Sequence, residues 1–155
     1  MAVTRLSQQF RGRLDRLDQT LVSFMNAHGV HLLRWALALV FIWFGGLKLI
    51  GVSPATDLVI QTVFWLPPHL AVLVIGVWEV AIGVGLLFTS PLILRVTLLL
   101  LWLQMVGTFQ VLVLLPEAAF QGGNPLLPTM EGQYVIKNLV LIAGSLVIGS
   151  TVRRR

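Results

Sequence analysis

Glu79 stands near the centre of "VLVIGVWEVAIGVGLLF", Val72 to Phe88, a run with no other charged residue. A carboxylate in such a setting needs a donor close by, because burying an unpaired charge is very unfavourable. Three side chains in comparably apolar surroundings qualify: Lys48, Lys137 and Gln104. Together with Glu79 they would form a polar pocket inside a membrane, able to hold a proton or to orient a small polar ligand. The same residues would also serve as a buried ion pair that fixes helix register, and both roles stay open on the sequence. Metal chemistry has weaker support. His28 and His31 are three apart at the cytoplasmic end and His69 lies at the outer end, so no two histidines face each other as bis-histidine haem ligation requires. With no carboxylate or thiol beside the histidine pair, a hydrogen-bonded interfacial role is favoured over a metal site. The chain has no cysteine, which removes disulfides, thiol catalysis, thiolate ligands and cysteine-attached haem. No phosphate loop and no Ser/His/Asp set can be assembled, so neither a metal nor a covalent cofactor is expected.

The elements that position these residues follow from composition. Of 155 residues, 57% are hydrophobic and 11% charged, and the mean hydropathy is +0.90, too little polar side chain to cover a water-soluble globule. A spanning helix needs about 20 mainly apolar residues to cross roughly 30 Å of hydrocarbon. Stretches near 32–52, 69–89, 92–115 and 133–152 meet that length, which predicts an all-α integral membrane protein, a four-helix bundle forming a single domain over 1–155.

Residues 1–28 read as an amphipathic helix on the cytoplasmic side: Leu6, Phe10, Leu14, Leu17, Leu21 and Phe24 recur at spacings of three and four, with Arg5, Arg11, Arg13 and Arg16 largely off that stripe. Gln8, Gln9, Asp15 and Asp18 occupy the place of a signal peptide's apolar core, so this segment is expected to stay in the mature protein. Binding to a lipid surface is favoured over packing on a protein partner. The arginines before span one, Arg34, Arg95 and Arg153 to Arg155 fall on one side, whereas Asp57, Glu117 and Glu131 fall on the other. The positive-inside rule then predicts that both termini are cytoplasmic, for a protein expected in a bacterial cytoplasmic (inner) membrane. Its net charge of +5 reflects topology and lipid contact, and a nucleic-acid partner has no further support. "FTSPLILR" is a tight inner turn. Leu58 to Leu66, followed by a double proline, predicts a short outer interfacial helix with Trp65 at headgroup level, and "LPEAAFQGGNPLLPTMEG" predicts an ordered, irregular outer loop.

On this topology Glu79 lies about ten residues, or roughly 15 Å, into span two, near the midplane. Side chains lean toward the N-terminus of their own helix. Lys48, on an ascending helix, leans down toward Glu79, which leans up to it; Lys137, on a descending helix, leans away and is the poorer partner. Gly76 and Gly83 flank Glu79, Gly45 precedes Lys48, and Gly144 follows Lys137 at heptad spacing, so small residues share a face with each charge. Such faces mark close helix approach, with Gly46 beside Gly45 and with Gln104 and Gly107 of span three closing the remaining side. Trp35 and Trp65 sit where aromatic belts are expected, and Trp43, Trp78 and Trp102 lie deeper, as packing or lipid-facing residues or, alternatively, as stacking partners for a quinone ring.

"RWALALVFIWFGGLKLIG" resembles the opening span of the DoxX-like superfamily, "IGVWEVAIGVGLL" resembles its second span, and "GQYVIKNLVLIAG" is similar to the last span of its YkgB-type branch. The residues carried over are Arg34, Gly46, Lys48, Glu79, Gly83, Gly132 and Lys137; Asn138 departs from the branch, which has an aspartate after the lysine. The resemblance implies a four-helix membrane bundle and, for several relatives, association with redox enzymes, including quinone-linked ones. The expected function is a small membrane subunit of a redox, quinone-linked assembly, either non-catalytic or quinone-interacting rather than a self-sufficient enzyme, with other membrane or redox subunits or a second copy as partners. A non-enzymatic scaffold or assembly factor is the alternative, and a small-solute or ion transporter a second one, disfavoured by the lack of an inverted repeat or broken helix.

Overall fold

The structure, a computed structural model, describes residues 2–152, with side chains from residue 14 onward. Leu6 and Phe10 of the expected apolar stripe, Arg5, Arg11 and Arg13, and Arg153 to Arg155 lie outside what it describes at side-chain level. The chain forms two compact units, Met1–Leu33 and Arg34–Arg155. In order along the chain run α1 (Ala2–Leu49), α2 (Thr56–Thr62), α3 (Pro68–Leu87), α4 (Pro91–Phe109), α5 (Val111–Leu114), α6 (Pro116–Ala119), a 3-10 turn at Gln121–Gly123, and α7 (Met130–Thr151). Four stretches are long and apolar enough to cross a membrane: Leu14–Leu49, Pro68–Leu87, Pro91–Leu114 and Met130–Thr151. The protein is an all-α, multi-pass membrane protein.

The first unit is helical throughout its described length, and Leu14, Leu17, Leu21 and Phe24 are all exposed. The His28 ring packs at a tilt on Phe24, with centroids 4.9 Å apart. The residues read as a surface helix and those read as span one belong to one helical element.

In the second unit, periodicity sets the core. Arg34, Leu37, Ala38, Phe41, Gly45 and Lys48 form the buried stripe of α1. On α3 the stripe is Ala71, Val72, Gly76, Glu79, Ile82, Gly83 and Leu86, and on α4 it is Leu94, Thr97, Leu98, Leu101, Gln104 and Met105. These spacings of three and four turn one face of each helix inward. The opposite faces carry Leu39, Trp43, Val106 and Val140, all exposed, as a lipid-facing surface requires.

Close helix approach has specific causes. A Cβ on Gly45 would come within 2.7 Å of the Gly76 carbonyl oxygen and 2.8 Å of the Val80 nitrogen; one on Gly83 would meet the Ala38 carbonyl oxygen and the Ile42 nitrogen at 2.8 Å. Helices α1 and α3 therefore touch backbone to backbone, the arrangement that small residues permit. Gly85, which the sequence reading passed over, makes room for Thr97 across the α3–α4 hairpin. Indole N–H groups join the next pairs: Trp78 Nε1 donates to the Leu100 carbonyl oxygen at 3.1 Å, and Trp102 Nε1 to Ser145 Oγ at 2.8 Å.

Helix α1 ends three residues before the expected Val52. Gly51, at φ +74, donates to the Lys48 carbonyl, and Val52 N–H reaches back to the Leu47 carbonyl at 3.0 Å, a Schellman cap. Lys48 is thus held in the last turn, where a cation complements the helix dipole. The stretch expected as an irregular loop contains α6, the 3-10 turn and the start of α7, where Thr129 Oγ accepts from Gly132 N–H at 3.1 Å and donates to the Ala118 carbonyl at 2.5 Å. Gly132 lies against Ala119, with no space for a side chain.

Candidate functional site

The buried polar cluster is assembled from three helices of the second unit. Lys48 Nζ lies 2.6 Å from Glu79 Oε2, and Gln104 Nε2 donates to Glu79 Oε1 at 2.8 Å. All three residues are buried, at 7%, 9% and 7% exposure. Each carboxylate oxygen therefore has its own donor, one of them charged, and charge-assisted hydrogen bonds of this length are the strong kind. Lys48 comes from the last turn of α1, Glu79 from the middle of α3 and Gln104 from the same inward stripe of α4 as Leu101 and Met105. Gln104 Oε1 is buried without a hydrogen-bond partner, an open acceptor beside the ion pair.

Lys137 does not join them. It is exposed, and its Nζ sits 5.3 Å from the centroid of the Tyr134 ring, a cation–π contact one turn back along α7. The reason is a rotation of the buried face along the helix. Seven residues bring Lys137 almost into line with Gly144, which is buried. At the level of Lys137, however, the inward residue is Val135, and the nine residues from Val135 to Gly144 are about two and a half turns, which puts them on opposite sides. Asn138 faces inward instead, donating from Nδ2 to Thr108 Oγ at 3.2 Å. It was noted on the sequence only as a departure from a family pattern.

The glycines divide the same way. Gly45, Gly76 and Gly83 are at helix contacts, with Lys48 Cβ itself 3.1 Å from where a Gly76 Cβ would stand. Gly144 is buried on α7. Gly46 and Gly107 are not close-contact positions: a Cβ at either would meet nothing within 4 Å. They sit beside the contact stripe rather than on it.

No family model, curated protein or solved structure matches the chain. What the site can do rests on its own geometry.

A recess of about 240 Å³ lies where α1 ends and α3 begins, with α2 as its third wall. Its lining is Leu49, Gly51, Ile60, Pro68, Val72 and Leu73, with Lys48, Thr56 and His69 as the polar members. Lys48 belongs to both features, pairing with Glu79 and forming part of the recess wall. Of the residues lining this recess, Lys48 alone belongs to the polar pocket expected from the sequence, because α2 enters the recess from a loop. The double proline before α3, with Pro67 capping and Pro68 in its first turn, was the available signal, since it brings His69 to a helix start.

Proposed function

We propose that the protein is a small subunit of a membrane redox assembly whose recess holds a quinone headgroup, with Lys48 donating a hydrogen bond to one ring carbonyl. The observation that carries this is the double placement of Lys48, in the buried ion pair and in the wall of a mostly apolar recess. Because Glu79 neutralises Lys48 at 2.6 Å, the recess offers donors without net charge, which suits a neutral ligand with carbonyl acceptors better than an anion. Its volume is ample for one substituted six-membered ring, since a cavity of about 150 Å³ already accepts benzene. The resemblance to the DoxX-like superfamily supports the redox setting. No acid, base or nucleophile of a self-sufficient enzyme is part of this reading.

The proposed topology puts both termini on the cytoplasmic side and α2, with the exposed Phe64 and Trp65 just after its end, in the outer headgroup layer. The recess then opens to the outer leaflet.

A scaffold role is the second reading. It is favoured by the saturation of both Glu79 oxygens, since a fully satisfied carboxylate is also what a register-fixing ion pair requires. The double variant Lys48→Met with Glu79→Gln separates the two, because it removes both charges together and leaves neither stranded. Purified with its partners from native membranes, this variant is expected to keep its partners while losing extractable quinone and quinone-linked electron transfer. Full quinone content and turnover in an assembled double variant would discard the quinone reading and leave the scaffold.

A further inference from the structure

Beyond Lys48, the recess holds a second polar group suited to a ligand. Its polar lining consists of Lys48, Thr56 and His69. The Thr56 hydroxyl is occupied locally, donating to the Ser53 carbonyl at 2.8 Å. His69 lies in the first turn of α3 and is exposed at the mouth. Val72 and Leu73 follow it at three and four residues and also line the recess, so the imidazole is on the helix face that forms the wall. That face continues through Val72 and Gly76 to Glu79, all buried. The ten residues from His69 to Glu79 span about 15 Å of helix axis. The recess itself has His69 of α3 and Lys48 of α1 among its lining, with Leu49, Ile60, Val72 and Leu73 as apolar walls, and Lys48 ties it to the ion pair with Glu79.

We infer that His69 is the second ligand contact of the recess, donating its imidazole N–H to the ring carbonyl opposite the one held by Lys48. This rests on the quinone reading above and adds the orientation: the ring lies between a deep donor on α1 and a shallow donor on α3, with its tail directed to the lipid. A neutral imidazole carries one N–H donor, and two donors at opposite ends match the para carbonyls of a quinone. A ligand with an acceptor at one end only would leave one of them unused.

The test uses the full chain in lipid nanodiscs and a short-chain ubiquinone, isotope-labelled at one or the other ring carbonyl. Saturable binding and the infrared stretch of each carbonyl are measured for wild type, His69→Leu and His69→Gln. Leucine keeps the bulk and loses the donor; glutamine restores a donor. Binding is expected to weaken about tenfold in His69→Leu, the scale of one hydrogen bond, and to recover in His69→Gln to within about threefold of wild type. In wild type both carbonyl bands should be displaced from their positions in lipid. His69→Leu should return one band and leave the other, whereas Lys48→Met combined with Glu79→Gln should return the opposite one. A merely structural role for His69 would move both bands or neither. Saturable wild-type binding with affinity and bands unchanged in His69→Leu would overturn the role of His69 and leave the quinone reading standing. Absence of saturable binding in wild type would end both.

Discussion

The cluster of Lys48, Glu79 and Gln104 concentrates the energetics of this bundle in a few atoms. Breaking a buried pair by removing one charge is typically destabilising by about 3–5 kcal/mol, because the remaining charge is stranded. Glu79→Gln and Lys48→Met should each approach that loss, and the double variant should lose less than their sum; detergent or thermal unfolding measures it, and strict additivity would show that the pair is not coupled. Gln104→Leu should cost less than either, about 1–2 kcal/mol, since it removes one donor to Glu79 Oε1 and also the unpartnered Oε1. Lys137→Met should change stability by no more than about 0.5 kcal/mol in the same assay, because the lysine is exposed and bonded only across a ring face. A large loss there would place Lys137 in the core after all. Lys48 was legible as the partner of Glu79 because helix direction fixes how side chains lean. Lys137 was grouped with them because heptad spacing from Gly144 was read as if one face stayed inward for the whole of α7. That rotation comes from how helices cross, which no local pattern states.

At the scale of elements, the four long apolar helices were legible from hydropathy alone, and their ends were less so. The end of α1 at Leu49 depends on the positive φ of Gly51, a signal present in the sequence but hidden inside a continuous apolar run. Glycines beside Glu79 and Lys48 were readable as contacts, but neighbouring positions could not be told apart. Gly45 and Gly46 differ by about 100° around the helix, which decides everything. Gly45→Ala should destabilise the bundle by at least about 1 kcal/mol, because its methyl group would meet α3 backbone, which cannot give way as a side chain can. Gly46→Ala should be neutral or stabilising by up to about 1 kcal/mol, from helix propensity with open space around it. Equal effects of the two alanines on unfolding would contradict the contact between α1 and α3. Gly85 was missed for a related reason: its partner is Thr97, a residue that carries no charge and belongs to no motif, on a helix whose register against α3 is set only when the hairpin closes.

For the whole molecule, the deciding question is which side of the membrane each end occupies, because the side on which the recess opens follows from it. Arg95 lies just past the α3–α4 turn, while Asp57 on α2 and Glu117 and Glu131 around α6 and α7 belong to the connections on the other side of the spans. The positive-inside rule counts lysine and arginine in short loops, so Arg95 and the terminal arginines should be cytoplasmic. The absence of cysteine allows single reporter thiols without background. Leu126, 87% exposed in the loop before α7, and Thr89, exposed in the α3–α4 turn, are the informative positions. In intact cells a membrane-impermeant maleimide should label Leu126→Cys and spare Thr89→Cys, and permeabilisation should expose the latter. The reversed pattern would turn the recess toward the cytoplasm. Lys48 and Glu79 would remain paired, since their contact is internal to the bundle, but a ligand of the recess would then enter from the cytoplasmic side. The labelling experiment therefore decides which side of the membrane the recess faces.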